Sequence, residues 1–165
     1  MQHFCVADGL SQSSVYCILQ DRHGFWWVGT ADGLNRFDGR EFAIFRHRPG
    51  RPGSLGDNTI RCLLEARDGT LWVGTDDGLF RYDEFADTFH PFAGDSTPAG
   101  VIRLRHITAR GEDAAGRLWI GTPEGIRISD ISRTRLVDPA TVFPAHPHAL
   151  DMVPRSGDWR VSTRR

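Results

Sequence analysis

The chain contains no lysine: all 20 of its basic residues are arginine. One reading is the codon bias of a GC-rich genome. The other is a surface that recognises carboxylate or phosphate through planar guanidinium forks. No stretch approaches the roughly 18 apolar residues of a membrane-spanning helix, so no membrane contact by this segment is expected. Met1-Gln2-His3-Phe4 has neither the basic start nor the apolar run of a signal peptide; taken literally, that places the chain in the cytoplasm. A net charge of -1 leaves no electrostatic footprint for nucleic acid or an anionic membrane. Three cysteines are too few for a disulfide framework. Cys17 and Cys62 occupy the same place in successive repeats, and alternation sets Val15, Cys17 and Leu19 on one face and Ile60, Cys62 and Leu64 on the equivalent face. Both cysteines read as small buried apolar groups, and a bridge between them needs Cα atoms within about 7 Å. His23, His47, His90, His106 and the pair His146 and His148 show no metal-ligand spacing. There is no glycine-rich phosphate loop and no Gly-x-Ser-x-Gly elbow. No metal, cofactor or catalytic residue is expected.

What the chain does have is one phrase written three times: G-F-W-W-V-G-T-A-D-G-L-N-R-F-D from Gly24, G-T-L-W-V-G-T-D-D-G-L-F-R-Y-D from Gly69 and G-R-L-W-I-G-T-P-E-G-I-R-I-S-D from Gly116. The tryptophans Trp27, Trp72 and Trp119 are 45 and 47 residues apart. A period of about 40–50 residues built from short strand-like runs predicts an all-β, radial array with one four-stranded antiparallel blade per repeat. The expected fold is a partial β-propeller of about three and a half blades. Residues 1–14 are a lead-in that includes the outermost strand of a last blade. Blade 1 covers 15–53, blade 2 covers 54–100, blade 3 covers 101–140, and a degenerate partial blade 4 covers 141–165. The linkers Arg48-Pro49-Gly50-Arg51-Pro52-Gly53 and Gly94 to Gly100 read as surface loops. In blade 3 the run Val101 to Ile107 alternates as a first strand, yet spacing makes Ile107 the counterpart of Ile60; an extended turn through Gly111 to Ala115 would reconcile the two.

Blades stack face to face, so both faces of a middle strand are buried. Trp27, Trp72 and Trp119 are expected to fill the wedge between blades. Gly29, Gly74 and Gly121 leave room for that ring or for a neighbouring backbone. Thr30, Thr75 and Thr122 end the strand and can bond the turn that follows. The loops between second and third strands carry Asp32, Asp76, Asp77 and Glu124. These are candidates for holding a cation or sugar hydroxyls, against their ordinary role in tight hairpins. Arg36 and Arg81 recur in the third strand, displaced to Arg127 in blade 3. They are candidates for ligand recognition, against packing over a blade edge and pairing with Asp38 or Asp83.

Propellers close with about 4–8 blades, so an open array leaves apolar faces exposed. Leaving about 300 Å2 uncovered forfeits roughly 7 kcal/mol, comparable to a domain's whole net stability. The chain is therefore expected to be a piece of a longer ring, or to self-associate.

The pattern V-x-x-I-x-x-D-x-x-G-x-x-W-x-G-T-x-x-G-L-x-R-x-D, present as Val15, Ile18, Asp21, Gly24, Trp27, Gly29, Thr30, Gly33, Leu34, Arg36 and Asp38, resembles the two-component regulator propeller repeat. The resemblance covers about residues 1–130 well and 131–165 weakly. It implies the ligand-sensing part of a bacterial membrane receptor, located in the periplasm, with oligosaccharides as ligands in one branch and kinase or cyclase chemistry in other domains. It also implies that residues 1–6 supply the outermost strand of the last blade, and that the missing blades, of this chain or another, are partners. The alternatives are a propeller enzyme of the streptogramin-lyase-like type and a structural or interaction fragment.

Overall fold

A computed structural model of the chain describes residues 4–92, 96–97, 100–101, 104–138 and 142. It is a partial β-propeller. Blade 1 comprises β1 (Val15–Gln20), β2 (Trp26–Thr30), β3 (Gly33–Phe37) and β4 (Phe42–Phe45). Blade 2 comprises β5 (Ile60–Glu65), β6 (Leu71–Thr75), β7 (Gly78–Asp83) and β8 (Thr88–Pro91). A short ribbon follows, β9 (Ser96–Thr97) with β10 (Gly100–Val101), and then blade 3: β11 (Ala109–Glu112), β12 (Leu118–Thr122), β13 (Gly125–Ser129) and β14 (Leu136–Val137). Each blade is an antiparallel meander in sequence order. The expected fourth blade lies outside the described residues, apart from residue 142. Residues 4–14 hold one 3-10 turn, Val6–Asp8, and no strand; the last blade that such a strand would join is likewise outside the described residues. Phe4 rests on Phe37 and Phe42 instead, with ring centroids at 5.0 and 5.9 Å.

Turn chemistry sets the strand ends. In blade 1 the Asp21 carboxylate accepts the main-chain N–H groups of His23 and Phe25 through Oδ1 and the Trp27 indole N–H, 2.7 Å away, through Oδ2. In blade 3 Asp113 does the same for Ala115, Arg117 and Trp119. Blade 2 has Ala66 at this place, and Trp72 Nε1 is left as the one buried side-chain nitrogen or oxygen without a partner among the described residues. At the opposite rim Thr30, Thr75 and Thr122 each donate a hydroxyl to the carbonyl three residues on, at 2.9, 3.0 and 2.9 Å. That closes each β2–β3-type hairpin over a glycine with positive φ.

Two seams make the core. In the first, Trp27 and Leu34 of blade 1 pack with Ile60, Leu63, Leu71, Val73, Phe80 and Phe89 of blade 2. In the second, Cys62, Trp72 and Leu79 of blade 2 pack with Ile107, Leu118 and Ile120 of blade 3. Ile60 and Cys62 thus point into different seams, not to one face as strict alternation implies. A register shift between Ile60 and Cys62, repeated between Val15 and Cys17, is the reason: a bulge inserts one extra residue and inverts the facing. All three cysteines are free. Burial pushes the Cys17 thiol up to about 12 and Cys62 to about 11, so both are inert apolar groups.

In blades 1 and 2 the glycine of the second strand makes room for something other than a tryptophan ring or a backbone. A methyl group on Gly74 would lie 2.5 Å from Cys62 Sγ and 2.8 Å from Ile107 Cγ2. A methyl on Gly29 would overlap Cys17 Sγ and Ile60 Cγ2 in the same way. The glycine is a socket for the β-branched residue that opens the next blade. In blade 3 that residue is Ile107, as spacing indicated, and the first strand is Ala109–Glu112, not Val101 to Ile107. No extended turn is needed: Gly111 pairs with Trp119 inside the sheet, and Asp113 to Gly116 form the same turn as Asp21 to Gly24.

Gly74→Ala is expected to destabilise the fold by about 1–3 kcal/mol through overpacking, whereas Gly111→Ala, whose added methyl meets nothing within 4 Å, is expected to change stability by less than about 0.5 kcal/mol. Urea unfolding measures both. Ala66→Asp is expected to stabilise blade 2 by about 1 kcal/mol by giving the Trp72 indole its acceptor; the gain should shrink in a Trp72→Phe background, where only the turn N–H groups remain for the new carboxylate.

Candidate functional site

The meander places the β2–β3-type hairpins and the interblade linkers at one rim, and the β1–β2- and β3–β4-type turns at the other. Asp32, Asp76, Asp77 and Glu124 all lie on the first rim. Each of the four meets an arginine. Asp32 takes Arg46 at 3.0 Å and accepts the Asn58 amide across the seam at 3.1 Å. Asp76 takes a two-pronged bond from Arg61, at 2.7 and 3.0 Å, with His106 Nδ1 at 3.1 Å. Asp77 stands 3.8 Å from Arg105, and exposed Glu124 stands 3.4 Å from Arg127. The Arg61 bond, opposed by partial desolvation, holds the Asp76 carboxyl below its usual range. Among the described residues, no group of three or more His, Cys, Asp and Glu side chains is arranged to hold a metal ion.

Arg36 and Arg81 diverge despite equivalent positions. Arg36 crosses the first seam. Its guanidinium donates to Tyr82 Oη at 2.6 Å and Asp87 Oδ1 at 3.2 Å. It also stands over the rings of Phe25, Trp27 and Phe45 at 5.4, 5.6 and 5.5 Å, a stacked cation in an aromatic box. Burial, aided by the bond to Asp87, pushes the Tyr82 phenol up, so it stays a neutral donor. Pairing is therefore with Asp87 of the next blade, not with Asp38, which accepts the main-chain N–H groups of Arg40 and Glu41. Asp83 serves Phe85 and Ala86 in the same way. Blade 3 has Ser129 where blade 2 has Tyr82, so the second seam offers Arg81 no phenol. Arg81 is exposed and borders a cavity of about 260 Å3 at the turn end of the first seam, with His23, Glu65, Asp68 and Glu84.

Sequence reasoning missed a repeated latch on that rim. Arg22 donates its main-chain N–H and its Nε to Glu65 Oε1 at 3.1 and 3.0 Å, and its terminal nitrogens to the carbonyls of Arg67 and Asp68. One repeat later the Arg67 N–H bonds Glu112 at 2.8 Å and its guanidinium bonds the Ala114 carbonyl. An Arg and a Glu one period apart were the signal. Arg133 adds a brace, bridging Asp68 and Glu112 at 2.7 Å each.

Comparison with known proteins agrees with this architecture. Residues 9–32 and 54–77 match the family model described as Two component regulator propeller, and these segments are repeats of that family. Histidine kinase P4 of Formosa agariphila is 61% identical over 46 residues, 28% of this chain and 3% of that protein. The extracellular domain of a hybrid two component system from B. thetaiotaomicron superposes with a TM-score of 0.72 at 26% identity, over 88% of this chain and 21% of that one. A second such domain from the same organism gives 0.61 at 32% identity, over 73% and 17%. The chain thus spans 3% of the curated relative and about a fifth of the solved domains. It is a propeller segment of the kind found in the extracellular regions of hybrid two-component sensors.

Hydrogen bonds and arginine charge hold Asp76, Asp68 and Asp113 below their usual range, against partial desolvation. Their stabilisation is complete above the unfolded value of about 4 and is lost as pH falls through the folded values. The denaturation midpoint is expected to drop on acidification below about pH 4, and Asp76→Asn is expected to flatten part of that drop. An acid limb unchanged in the variant would contradict the pairing.

Proposed function

We propose that these blades belong to the ligand-sensing part of a bacterial receptor of the two-component type, placed in the periplasm, binding an extracellular small molecule or oligosaccharide and catalysing no reaction. What carries this reading is that the repeat match and the backbone agree: the segments that match the regulator propeller superpose, with 88% of the chain, on the extracellular domain of a hybrid two component system. The candidate side chains favour binding over chemistry. The rim carboxylates stand against arginines, and Arg36 is committed to a seam.

Blade 1 supplies the second element, a face made to be covered. Ile18 and Trp26 are 58% and 44% exposed, while their counterparts in blade 2, Leu63 and Leu71, are 0% and 4% exposed against blade 1. Asn35, which replaces Phe80 on this face, is tied to Ser11 and the Val28 carbonyl, so the N-terminal lead-in covers only part of it. Further blades, of the same polypeptide or of a second copy, complete the array.

Two measurements test this. In size-exclusion with light scattering the chain alone is expected to associate, and Ile18→Arg with Trp26→Arg to return it to a monomer; a wild-type monomer that unfolds cooperatively would contradict the open face. In a thermal-shift screen of the longer polypeptide that carries these blades, an oligosaccharide at about 100 times its Kd is expected to add about 2.7 kcal/mol of stability. No shift across a broad panel would contradict the sensing role.

A further inference from the structure

The linker between blades 1 and 2 writes one tripeptide twice: Arg48-Pro49-Gly50 and Arg51-Pro52-Gly53. Each copy folds as a β-turn. The Arg51 N–H reaches the Arg48 carbonyl at 3.0 Å and the Ser54 N–H reaches the Arg51 carbonyl at 3.4 Å. Gly50 and Gly53 take φ of 73° and 80°, the type II signature with proline before glycine. The loop is tied down at several points. Ser54 Oγ donates to the Arg48 carbonyl and accepts the Arg48 N–H, both at 3.2 Å. His47 Nδ1 lies 2.6 Å from the Leu55 carbonyl. The Phe89 N–H of β8 bonds the Gly53 carbonyl at 2.8 Å, and a methyl on Gly53 would press on Thr88 Cγ2 at 2.8 Å.

This backbone borders a cavity of about 300 Å3 between the outer strands of blades 1 and 2, lined by Ile44, Phe45, Pro52 and Phe89 together with Arg46, Arg48 and Arg51. The charges there do not cancel. Arg46 is spent on Asp32, and Asp87, the carboxylate of the lining, is held by Arg36 and Tyr82. Among the described residues no carboxylate lies within ion-pair distance of Arg48 or Arg51, whose hydrogen bonds run through their main chains. Two uncompensated guanidiniums thus stand on a fixed double turn beside an apolar wall.

We propose that this cavity binds a small organic oxyanion: a carboxylate or sulfate head between Arg48 and Arg51, and a compact ring-like body against Ile44, Phe45 and Pro52. Guanidinium forks bond such heads in two-pronged fashion, and the pre-set turns lower the ordering cost of binding. The site touches the rim carboxylates only through the Arg46–Asp32 pair, and it does not depend on the receptor reading.

The probes are benzoate, phenyl sulfate, inorganic sulfate and the neutral isostere benzyl alcohol, titrated into the chain by calorimetry. Benzoate or phenyl sulfate is expected to bind, whichever of them binds more tightly identifying the head group, and benzyl alcohol at least about tenfold more weakly. Arg48→Ala with Arg51→Ala is expected to lose about tenfold or more in affinity, with an unchanged melting temperature in the absence of ligand. The paired Lys variants, which keep charge but not the fork, are expected to fall between. Affinity unchanged in the Ala pair, equal binding of benzyl alcohol, binding of inorganic sulfate alone, or no binding up to about 10 mM would each overturn the proposal.

Discussion

The structure depends on an empty space. The second strands of blades 1 and 2 each carry a glycine whose missing side chain is the pocket for the first β-branched residue of the next blade: Gly29 for Ile60, Gly74 for Ile107. The space is bounded from within the same blade by a cysteine, Cys17 or Cys62, whose Sγ also points at the main-chain carbonyl of that incoming isoleucine. A bulge between Ile60 and Cys62 turns the isoleucine back toward blade 1, and the same register shift recurs between Val15 and Cys17. These residues form one device that brings adjacent sheets close enough to bury Trp27 and Trp72, large rings that would otherwise hold the blades apart.

Charge reinforces what packing sets, and it does so differently at the two seams. The first has the Arg22–Glu65 latch and the Arg36 cation between aromatic rings, tied to Tyr82 and Asp87. The second keeps a reduced latch from Arg67 and gains the Arg133 brace, but has Ser129 where the first has a phenol. The repeat thus fixes architecture, while departures from it decide which arginines hold blades together and which face solvent.

Much of this was legible in the sequence because the period, the tight-turn pairs and the tryptophan spacing are local signals. The facing of Ile60 and Cys62 was not: a bulge leaves no mark on an alternating pattern. The first strand of blade 3 was hidden because Ile107-Thr108-Ala109-Arg110-Gly111-Glu112 is too polar and too small to read as a buried run, whereas Val101 to Ile107 alternates and is not that strand. Arg110 occupies the place of Leu63 and bonds the Leu63 carbonyl instead of packing as an alkyl chain. The partners of Arg22 and Arg36 lie 43 and 51 residues away, so no short window contains them. The rim acids were visible, but not that each stands against an arginine.

Hydrogen exchange of the assigned indole N–H groups, followed by NMR, tests the seam account most directly. Trp27, buried in the first seam and bonded to Asp21, and Trp72, buried in the second, are predicted to exchange only on the timescale of blade opening. Trp26, on the face left open in the unassociated chain, is predicted to exchange rapidly at concentrations where the chain is monomeric. Comparable fast rates for all three would mean that the blades do not stack on their glycine sockets, and would contradict the architecture from which the rest follows.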